Sequence, residues 1–451
     1  MAWSTGGLYC DQKKHYMATS FSFLHLSDIH FTRWSNDHYD LDKDLRNEFA
    51  LDLENLKKQR QAPIDAIFVT GDIAHSGSST EYEAADEWLL RISSILDCNP
   101  SKIWTTPGNH DVDRRCSQSP MLQRMHIHVR SSLPDDVSNL VGGYLRDPIG
   151  GKLIFKPLEQ YNIFAAKYGC SINEERPYWE HPELAELENG MKITAIGLNS
   201  VLISTQDDSP ENGEKPGNMI LGRYQVPIRQ KNVLYITLCH HPWNWLLDKQ
   251  VVEGALNRRA QIQLFGHTHE HQVDLRDTYI RLNAGALHPD RKQPGWEPRY
   301  NLVQLSINEN DKSQLQVTIY SRRWSNAKHE FCNSKDGAEF APTTYSLTLS
   351  MENPEPQRSQ KMETSDEEKF ASNAVEPLSV DEAMRELVYR FLMLSFYDRI
   401  DISQSLGLFQ SEDENLPDTE KFKLVLRRAQ ERNLVHKLLQ EIQHREQRGA
   451  S

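Results

Sequence analysis

The sequence lacks the features that mark secreted and membrane proteins. Its six cysteines are scattered over 451 residues without a C-x-x-C pair, so we expect reduced thiols rather than a disulfide framework. No apolar run approaches the ~18 residues of a membrane span, and the N-terminal region holds no uninterrupted hydrophobic segment of the signal-peptide type. We therefore expect a cytoplasmic protein without a membrane anchor.

The sequence also has fewer basic than acidic residues. The chain has 51 Lys and Arg against 64 Asp and Glu, which gives a formal net charge of -13. The overall field therefore opposes nonspecific binding to duplex nucleic acid, although a local basic patch could still exist. We interpret two basic doublets, Arg258-Arg259 and Arg322-Arg323, as solvated surface, with a phosphate-binding rim as the less favoured alternative.

The hydrophobic pattern predicts two folded parts. Over residues 20–350, short runs rich in β-branched and aromatic residues alternate with helical patterns, which indicates an α/β fold. Residues 113–190 interrupt this alternation and predict a helical insertion that could form a cap. Residues 351–378 are rich in Glu, Ser, Gln and Pro and predict a flexible linker. Residues 379–446 change to a 3.6-residue period, which predicts a small all-α module of about four helices.

Five polar clusters directly follow predicted strands. They are Asp28-Ile29-His30, Gly71-Asp72, Gly108-Asn109-His110-Asp111, His240-His241-Pro242 and Gly266-His267-Thr268-His269. Because ligands of α/β sheets bind at the carboxyl ends of the strands, we expect the clusters to converge. Carboxylate, amide and imidazole donors together suit divalent Mn, Fe or Zn better than Ca. Each cluster alone would be ordinary loop chemistry, but together they predict a metal site.

The spacing inside the clusters predicts how ligands are shared. In an extended D-x-H segment the two side chains point to the same side, so Asp28 and His30 can bind one ion. His267 and His269 have the same spacing and can reach one ion each, or the same ion. A carboxylate such as Asp72 can bridge two ions ~3.5–4 Å apart.

The order D-x-H, G-D, G-N-H-D, H-x-P and G-H-x-H resembles the calcineurin-like metallophosphoesterase superfamily over roughly residues 20–325. The resemblance implies a four-layer α/β/β/α sandwich and a site for two divalent ions. It makes Asp28, His30, Asp72 and His269 the ligands of one ion. Asp72 is shared, and Asn109, His240 and His267 complete the second ion. His240 is preferred over His241 because it stands two residues before Pro242.

The resemblance also implies roles for two residues that do not bind metal. His110 resembles the catalytic histidine of the family, a candidate proton donor to the leaving group, and Asp111 resembles its orienting partner. A hydroxide that bridges the two ions would attack phosphorus. The motifs look most like the cyclic-nucleotide phosphodiesterase branch, so we expect a phosphodiesterase that acts on a nucleotide-type substrate. The alternatives are a nuclease effector of a bacterial conflict system and, from a different class, an adaptor protein with a degenerate phosphoesterase scaffold.

The C-terminal module is similar to a second family. The segments Tyr397-Asp398-Arg399, Leu406-Gly407-Leu408 and Leu416-Pro417-Asp418 resemble small helical adaptor domains associated with effectors of bacterial conflict systems. The resemblance implies a protein partner that carries a like module. We therefore expect residues 379–446 to recruit a partner rather than to shape the metal site.

Overall fold

A computed structural model describes most of the chain. In its first part the described residues are 18–35, 40, 42–60, 63–205, 217–289, 297–334 and 341–349. In its last part they are 387, 390–391, 394, 396–413, 418–432 and 434–448. The predicted linker and the predicted start of the first C-terminal helix lie outside these residues. The chain divides into two compact units, Met1–Pro356 and Gln357–Ser451.

The described residues of the N-terminal unit form two β-sheets. Their strands are β1 (Ser20–Leu26), β2 (Ala66–Thr70), β3 (Ile103–Thr106), β4 (Trp179–Glu186), β5 (Lys192–Gly197), β6 (Val233–Cys239), β7 (Ala260–Phe265), β8 (His271–Leu275), β9 (Ile280–Ala284), β10 (Arg299–Ile307), β11 (Gln314–Ser325), β12 (Glu330–Asn333) and β13 (Thr343–Thr348). One sheet has the order β12-β11-β10-β1-β2-β3, with β13 paired to β11, and the other has the order β4-β5-β6-β7-β9-β8. Strands β1, β2 and β3 are parallel to one another. Strands β5, β6, β7 and β9 are also parallel, so each sheet collects several carboxyl ends at one edge.

The two sheets pack face to face, and helices cover their outer faces. Strand β2 contacts β6, and β3 contacts β5 and β6. Helices α1 (Lys43–Arg60) and α2 (Ser79–Ile95) contribute buried residues to the core of the first sheet. Helix α8 (Lys249–Asn257) packs on the second sheet. Every residue of β2 is buried, as expected for a strand that is covered on both faces. The predicted four-layer α/β/β/α fold is confirmed.

A helical insertion follows the third motif. Its helices are α3 (Arg114–Ser117), α4 (Pro120–Arg130), α5 (Val137–Arg146), α6 (Gly150–Phe155) and α7 (Glu159–Ala166). The predicted range 113–190 is too long, however, because residues 179–186 form β4 and pair with β5. As an edge strand with mostly exposed or half-exposed side chains, β4 needs few apolar residues, and its pattern therefore gives a weak strand signal. Among the residues that the structure describes, no helix is both long and apolar enough to cross a bilayer.

In the basic doublet Arg322-Arg323, which the sequence analysis places on the surface, Arg322 is buried in an ion pair. Arg322 is 1% exposed, and its Nε donates to Asp52 Oδ2 at 2.9 Å while Nη2 donates to Asp52 Oδ1 at 2.5 Å. The Tyr300 hydroxyl donates to the same carboxylate. Breaking such a buried pair costs about 3–5 kcal/mol, because one charge is left uncompensated. Arg322 therefore stabilises the contact between α1 and β11 and is neither solvated surface nor a phosphate-binding rim.

The described residues of the C-terminal unit are helical. They include α9 (Phe396–Ser405), α10 (Asp418–Glu431) and α11 (Val435–Arg448). The unit has its own core of buried side chains, which are Leu387, Phe391, Ile402, Leu408, Phe422, Val425, Ala429, Leu438 and Ile442. Gly407 follows α9 with φ of 63°, the left-handed conformation that ends many helices. The prediction of a small all-α module is confirmed.

Candidate metal centre

The five motifs lie at the carboxyl ends of strands from both sheets. Backbone hydrogen bonds tie their loops together. The N–H of Asp28 donates to the carbonyl of Gly71 at 3.1 Å, and the N–H of His30 donates to that of Asp72 at 2.9 Å. In the second sheet, the N–H of Gly266 donates to the His240 carbonyl at 3.1 Å. Backbone bonds thus join the loops within each sheet, and the bond from the His267 N–H to Asp28 Oδ2 joins the loops of the two sheets.

The D-x-H segment is not extended, contrary to the expectation from its spacing. Asp28 and His30 have φ of 53° and 52°, because their N–H groups bond to the carbonyls of the loop after β2. The two side chains converge nevertheless. His30 Nε2 lies 4.0 Å from Asp28 Oδ1 and 4.0 Å from Asp72 Oδ2.

Asp28, His30 and His269 form a group of side chains that could hold a metal ion. The Asp28 carboxylate is fully buried, and its Oδ2 accepts from the N–H of His267 at 3.1 Å. Its Oδ1 makes no hydrogen bond of good geometry, and His269 Nε2 lies 3.3 Å away. A buried carboxylate oxygen without a donor is costly. A cation between Asp28 and the two imidazoles would remove that cost, so the residues fit a metal ion.

A second group surrounds Asn109. Its side-chain Oδ1 lies 3.0 Å from His240 Nε2 and 3.1 Å from His267 Nδ1, and the two imidazole nitrogens are 3.3 Å apart. His240 Nε2 is also 3.4 Å from Asp72 Oδ2. Asp72 therefore stands between the two groups. All seven predicted ligands are brought together, and their binding of metal stays a prediction.

The protonation of His240 shows what this second group requires. Its Nδ1 donates to the Thr70 carbonyl at 2.8 Å, so in the neutral ring the lone pair of Nε2 points at the Asn109 oxygen. Burial opposes a second proton, yet Asp72 raises the pKa of His240 to about 9. Burial and the neighbouring His240 lower the pKa of His267 to about 3. Without metal, His240 therefore also carries a proton on Nε2, and this proton faces the Asn109 oxygen. A divalent ion in place of that proton would be bound by His240 Nε2, Asn109 Oδ1 and His267 Nδ1.

Two glycines allow the loops to approach this closely. A Cβ at Gly71, which has φ of 91°, would lie 2.6 Å from His240 Nδ1. A Cβ at Gly108 would collide with Asp72 Oδ1 and with the backbone nitrogen of Asp72. These positions therefore require glycine for close packing around His240 and the Asp72 carboxylate.

His241 is a second candidate beside His240. It is fully buried, its Nδ1 lies 2.9 Å from Ser200 Oγ, and its Nε2 has no hydrogen-bond partner. Its ring centroid is 4.5 Å from that of His267, and the three histidines form one possible metal-binding group. The preference for His240 as the ligand therefore stays a prediction.

His110 lies beside the first group, where its ring centroid is 4.7 Å from that of His30. Its Nδ1 is 2.8 Å from the His75 carbonyl, which fixes the ring with a proton on Nδ1. Its Nε2 accepts from Arg114 Nη2 at 3.2 Å. Its backbone N–H donates to Asp72 Oδ1 at 2.8 Å, so His110 also contacts the Asp72 carboxylate.

The expected orienting role of Asp111 needs correction. Its carboxylate accepts backbone N–H groups from Ile73 at 3.2 Å, Ala74 at 2.9 Å and Gly108 at 2.8 Å. Burial and the neighbouring Asp72 raise the pKa of Asp111 to about 7 despite these bonds. Because the carboxylate points beneath the loop, Asp111 fixes the backbone that carries His110. The imidazole itself is oriented by the His75 carbonyl.

Sequence reasoning missed two contributors to this region. The His75 carbonyl is a backbone group, which no residue pattern reveals. Arg114 follows His110 by four residues and opens the insertion, and this spacing was a signal that could have been used. Its guanidinium contacts His110 directly.

The chain is similar to several known proteins. An uncharacterized metallophosphoesterase-like protein of Bacillus subtilis is 21% identical over 315 residues, which are 66% of this chain and 59% of that protein. The chain thus spans about three fifths of this curated relative's length. A solved structure of a conserved uncharacterized protein from Streptococcus pneumoniae, predicted to be a phosphoesterase, is 15% identical, with coverage of 73% and 99% of the two chains and a TM-score of 0.26. A putative 5'-nucleotidase from Staphylococcus aureus is 11% identical, with coverage of 71% and 55% and a TM-score of 0.35. Such low scores add nothing to the assignment.

Two family models match separate parts of the chain. Residues 383–444 match the GTPase-associated adaptor domain, which agrees with the predicted adaptor-like module. Residues 21–271 match calcineurin-like phosphoesterase and include all five motifs. The match covers more than half of the chain, which therefore belongs to the calcineurin-like phosphoesterase family.

Proposed function

We propose that the protein is a dinuclear metal-dependent phosphoester hydrolase, with a nucleotide-type phosphodiester as its substrate. The observation that carries the proposal is the position of the buried Asp72 carboxylate between two groups of metal-binding side chains. Divalent ions bound there would activate water and polarise the phosphate. The proposed ligands are Asp28, His30, Asp72, His269, Asn109, His240 and His267.

The chain's own groups would supply the remaining chemistry. The His110 ring lies beside the first group, and its Nδ1 is held by the His75 carbonyl. We assign the Nε2 of this ring to protonation of the leaving oxygen: once Arg114 releases it, Nε2 takes up a proton from solvent and donates that proton to the leaving oxygen. Asp111 keeps the loop in place through three backbone N–H groups. The reaction needs no covalent enzyme intermediate.

The nucleotide-type substrate is supported by the G-N-H-D form of the third motif, which resembles the cyclic-nucleotide phosphodiesterase branch. A nuclease effector is the second candidate, and the C-terminal module favours it, because its sequence resembles small adaptor domains associated with effectors of bacterial conflict systems. The two candidates share the metal centre and differ in the size of the substrate. They can therefore be separated by a substrate panel.

Metal analysis combined with such a panel tests the proposal. We expect about two divalent ions per chain, as a site with a bridging carboxylate requires. We also expect chelator-sensitive turnover of an aryl phosphodiester and of cyclic nucleotides. Cleavage of single- or double-stranded nucleic acid without turnover of small diesters would favour the nuclease. Full metal occupancy without hydrolysis of any substrate would contradict the proposal and favour a degenerate scaffold.

We further propose that the C-terminal module recruits a protein partner with a like module. The module has its own apolar core, so it does not need the catalytic domain for burial. Truncation after about residue 350 should leave metal content and small-substrate turnover within about twofold of the full chain, while partner association or self-association is lost. A module held by a tether raises the local concentration of what it binds.

A full-length Phe422→Asp variant provides the matched control. Phe422 is 2% exposed in the C-terminal core, so the charge should disrupt the module while the chain keeps its length. This variant should keep the metal content and small-substrate turnover of the full chain and lose partner association or self-association, as the truncated protein should. Loss of metal or of small-substrate turnover in the truncated protein would show that the module supports the catalytic domain.

A further inference from the structure

Arg114 places an unsatisfied donor beside the metal centre. Its Nη2 donates to His110 Nε2 at 3.2 Å, while its Nε is buried without a hydrogen-bond acceptor. These two nitrogens form one edge of the guanidinium. One imidazole lone pair can accept from only one of them, so the edge is incompletely satisfied. A buried N–H without a partner is costly and calls for an explanation.

The nearest acidic residue along the chain does not supply the missing acceptor. Asp113 Oδ1 accepts from the backbone N–H of Arg115 at 2.9 Å and from Arg115 Nε at 3.4 Å. Its carboxylate therefore caps α3 and pairs with the neighbouring arginine. Arg114 is thus fixed by His110 on one nitrogen, and its Nε has no acceptor among the residues that the structure describes.

The unsatisfied edge of the Arg114 guanidinium matches the oxygens of a phosphate group. A guanidinium edge presents two parallel N–H donors, which match two oxygens of a phosphate. The position is suitable as well, because the His110 ring lies 4.7 Å from that of His30, a residue of the first metal-binding group. The positive charge of Arg114 also lies close to His75: burial and His110 lower the pKa of that imidazole most, Glu81 raises it, and Arg114 lowers it further.

We infer that Arg114 and His110 form a subsite for the anionic oxygens of a phosphate group, adjacent to the metal centre. The phosphate is that of the substrate, so its role in turnover rests on the proposed function. On binding, Arg114 exchanges its bond to His110 Nε2 for two bonds to phosphate oxygens. His110 Nε2 then becomes available to the leaving oxygen. The insertion therefore contributes a substrate-binding residue through the first turn of α3.

Binding of inorganic phosphate to the metal-loaded full chain tests the inference without requiring turnover. Calorimetry would compare the unmodified protein with Arg114→Met, Arg114→Lys and Arg115→Met. Loss of a charge-assisted, two-bond contact should weaken phosphate binding about tenfold or more in Arg114→Met. The phosphate affinity of Arg114→Lys should lie between those of the unmodified protein and Arg114→Met, since lysine keeps the charge but loses the two parallel N–H donors. Arg115→Met is the matched control, because the side chain of Arg115 is 91% exposed, and it should stay within twofold.

Kinetics give a second readout. Arg114→Met should raise KM for an aryl phosphodiester by a factor similar to its loss of phosphate affinity, with metal content unchanged. Phosphate affinity within twofold of the unmodified protein would overturn the inference. So would loss of metal in Arg114→Met, which would indicate a structural role, or absence of phosphate binding in the unmodified protein. If phosphate binding depends on Arg114 but no phosphoester is hydrolysed, the subsite stands and the proposed function fails.

Discussion

Asp72→Ala should lose both metal ions and reduce phosphoester turnover below detection. The Asp72 carboxylate lies 4.0 Å from His30 Nε2 in one group and 3.4 Å from His240 Nε2 in the other, so removing it weakens both groups together. Without it, several imidazoles would also face one another with one negative charge fewer. Elemental analysis of the purified protein and a turnover assay measure the effect.

His269→Ala provides the comparison that separates a shared ligand from an unshared one. His269 contacts Asp28 on the side of the first group, so this variant should retain close to one ion per chain. Circular dichroism establishes that both variants are folded. Full metal occupancy with undiminished turnover in Asp72→Ala would rule out a shared carboxylate.

His110→Ala should keep both ions and lose a factor of about 10²–10⁴ in kcat, the usual range for a general acid. The imidazole lies next to the first group, but both of its nitrogens already have protein partners. Its contact with Asp72 is made by the backbone N–H, which alanine retains. Metal content and kcat measured on the same preparation check the result.

The exposed His436 of α11 provides the control. His436→Ala removes an imidazole from the other unit and should change neither quantity. If His110→Ala loses metal, His110 is a ligand. If it stays fully active, the proton is supplied by another group.

The parts of the fold that the sequence predicts well are those in which local pattern and final burial agree. Strand β2 is buried throughout and reads as an uninterrupted apolar run. Strand β4 lies at an edge, and most of its residues are partly or fully exposed, so no such run exists. The predicted ligands could be found because each follows a buried strand, and parallel strands bring their carboxyl ends to one edge.

The contacts that the sequence does not reveal join distant segments or use the backbone. Arg322 and Asp52 are 270 residues apart in the chain, and each alone resembles an ordinary surface charge. The carboxylate of Asp111 was expected to contact its neighbour His110, but it bonds to backbone groups of two loops. A residue pattern identifies side chains with suitable chemistry, but it does not show which backbone groups will form hydrogen bonds with them.

The backbone at the metal centre has a consequence for engineering the protein. Five of the proposed ligands, Asp28, His30, Asp72, His267 and His269, have φ between 51° and 69°. This region costs L-residues roughly 1–2 kcal/mol each, although Asp and His tolerate it better than most. Glycine at any of these positions would relieve the strain and remove a ligand. In the metal-free protein, selection for thermostability alone would therefore favour loss of a ligand, whereas bound ions stabilise the folded state and oppose that loss. A library screened for heat resistance must be screened for metal binding as well.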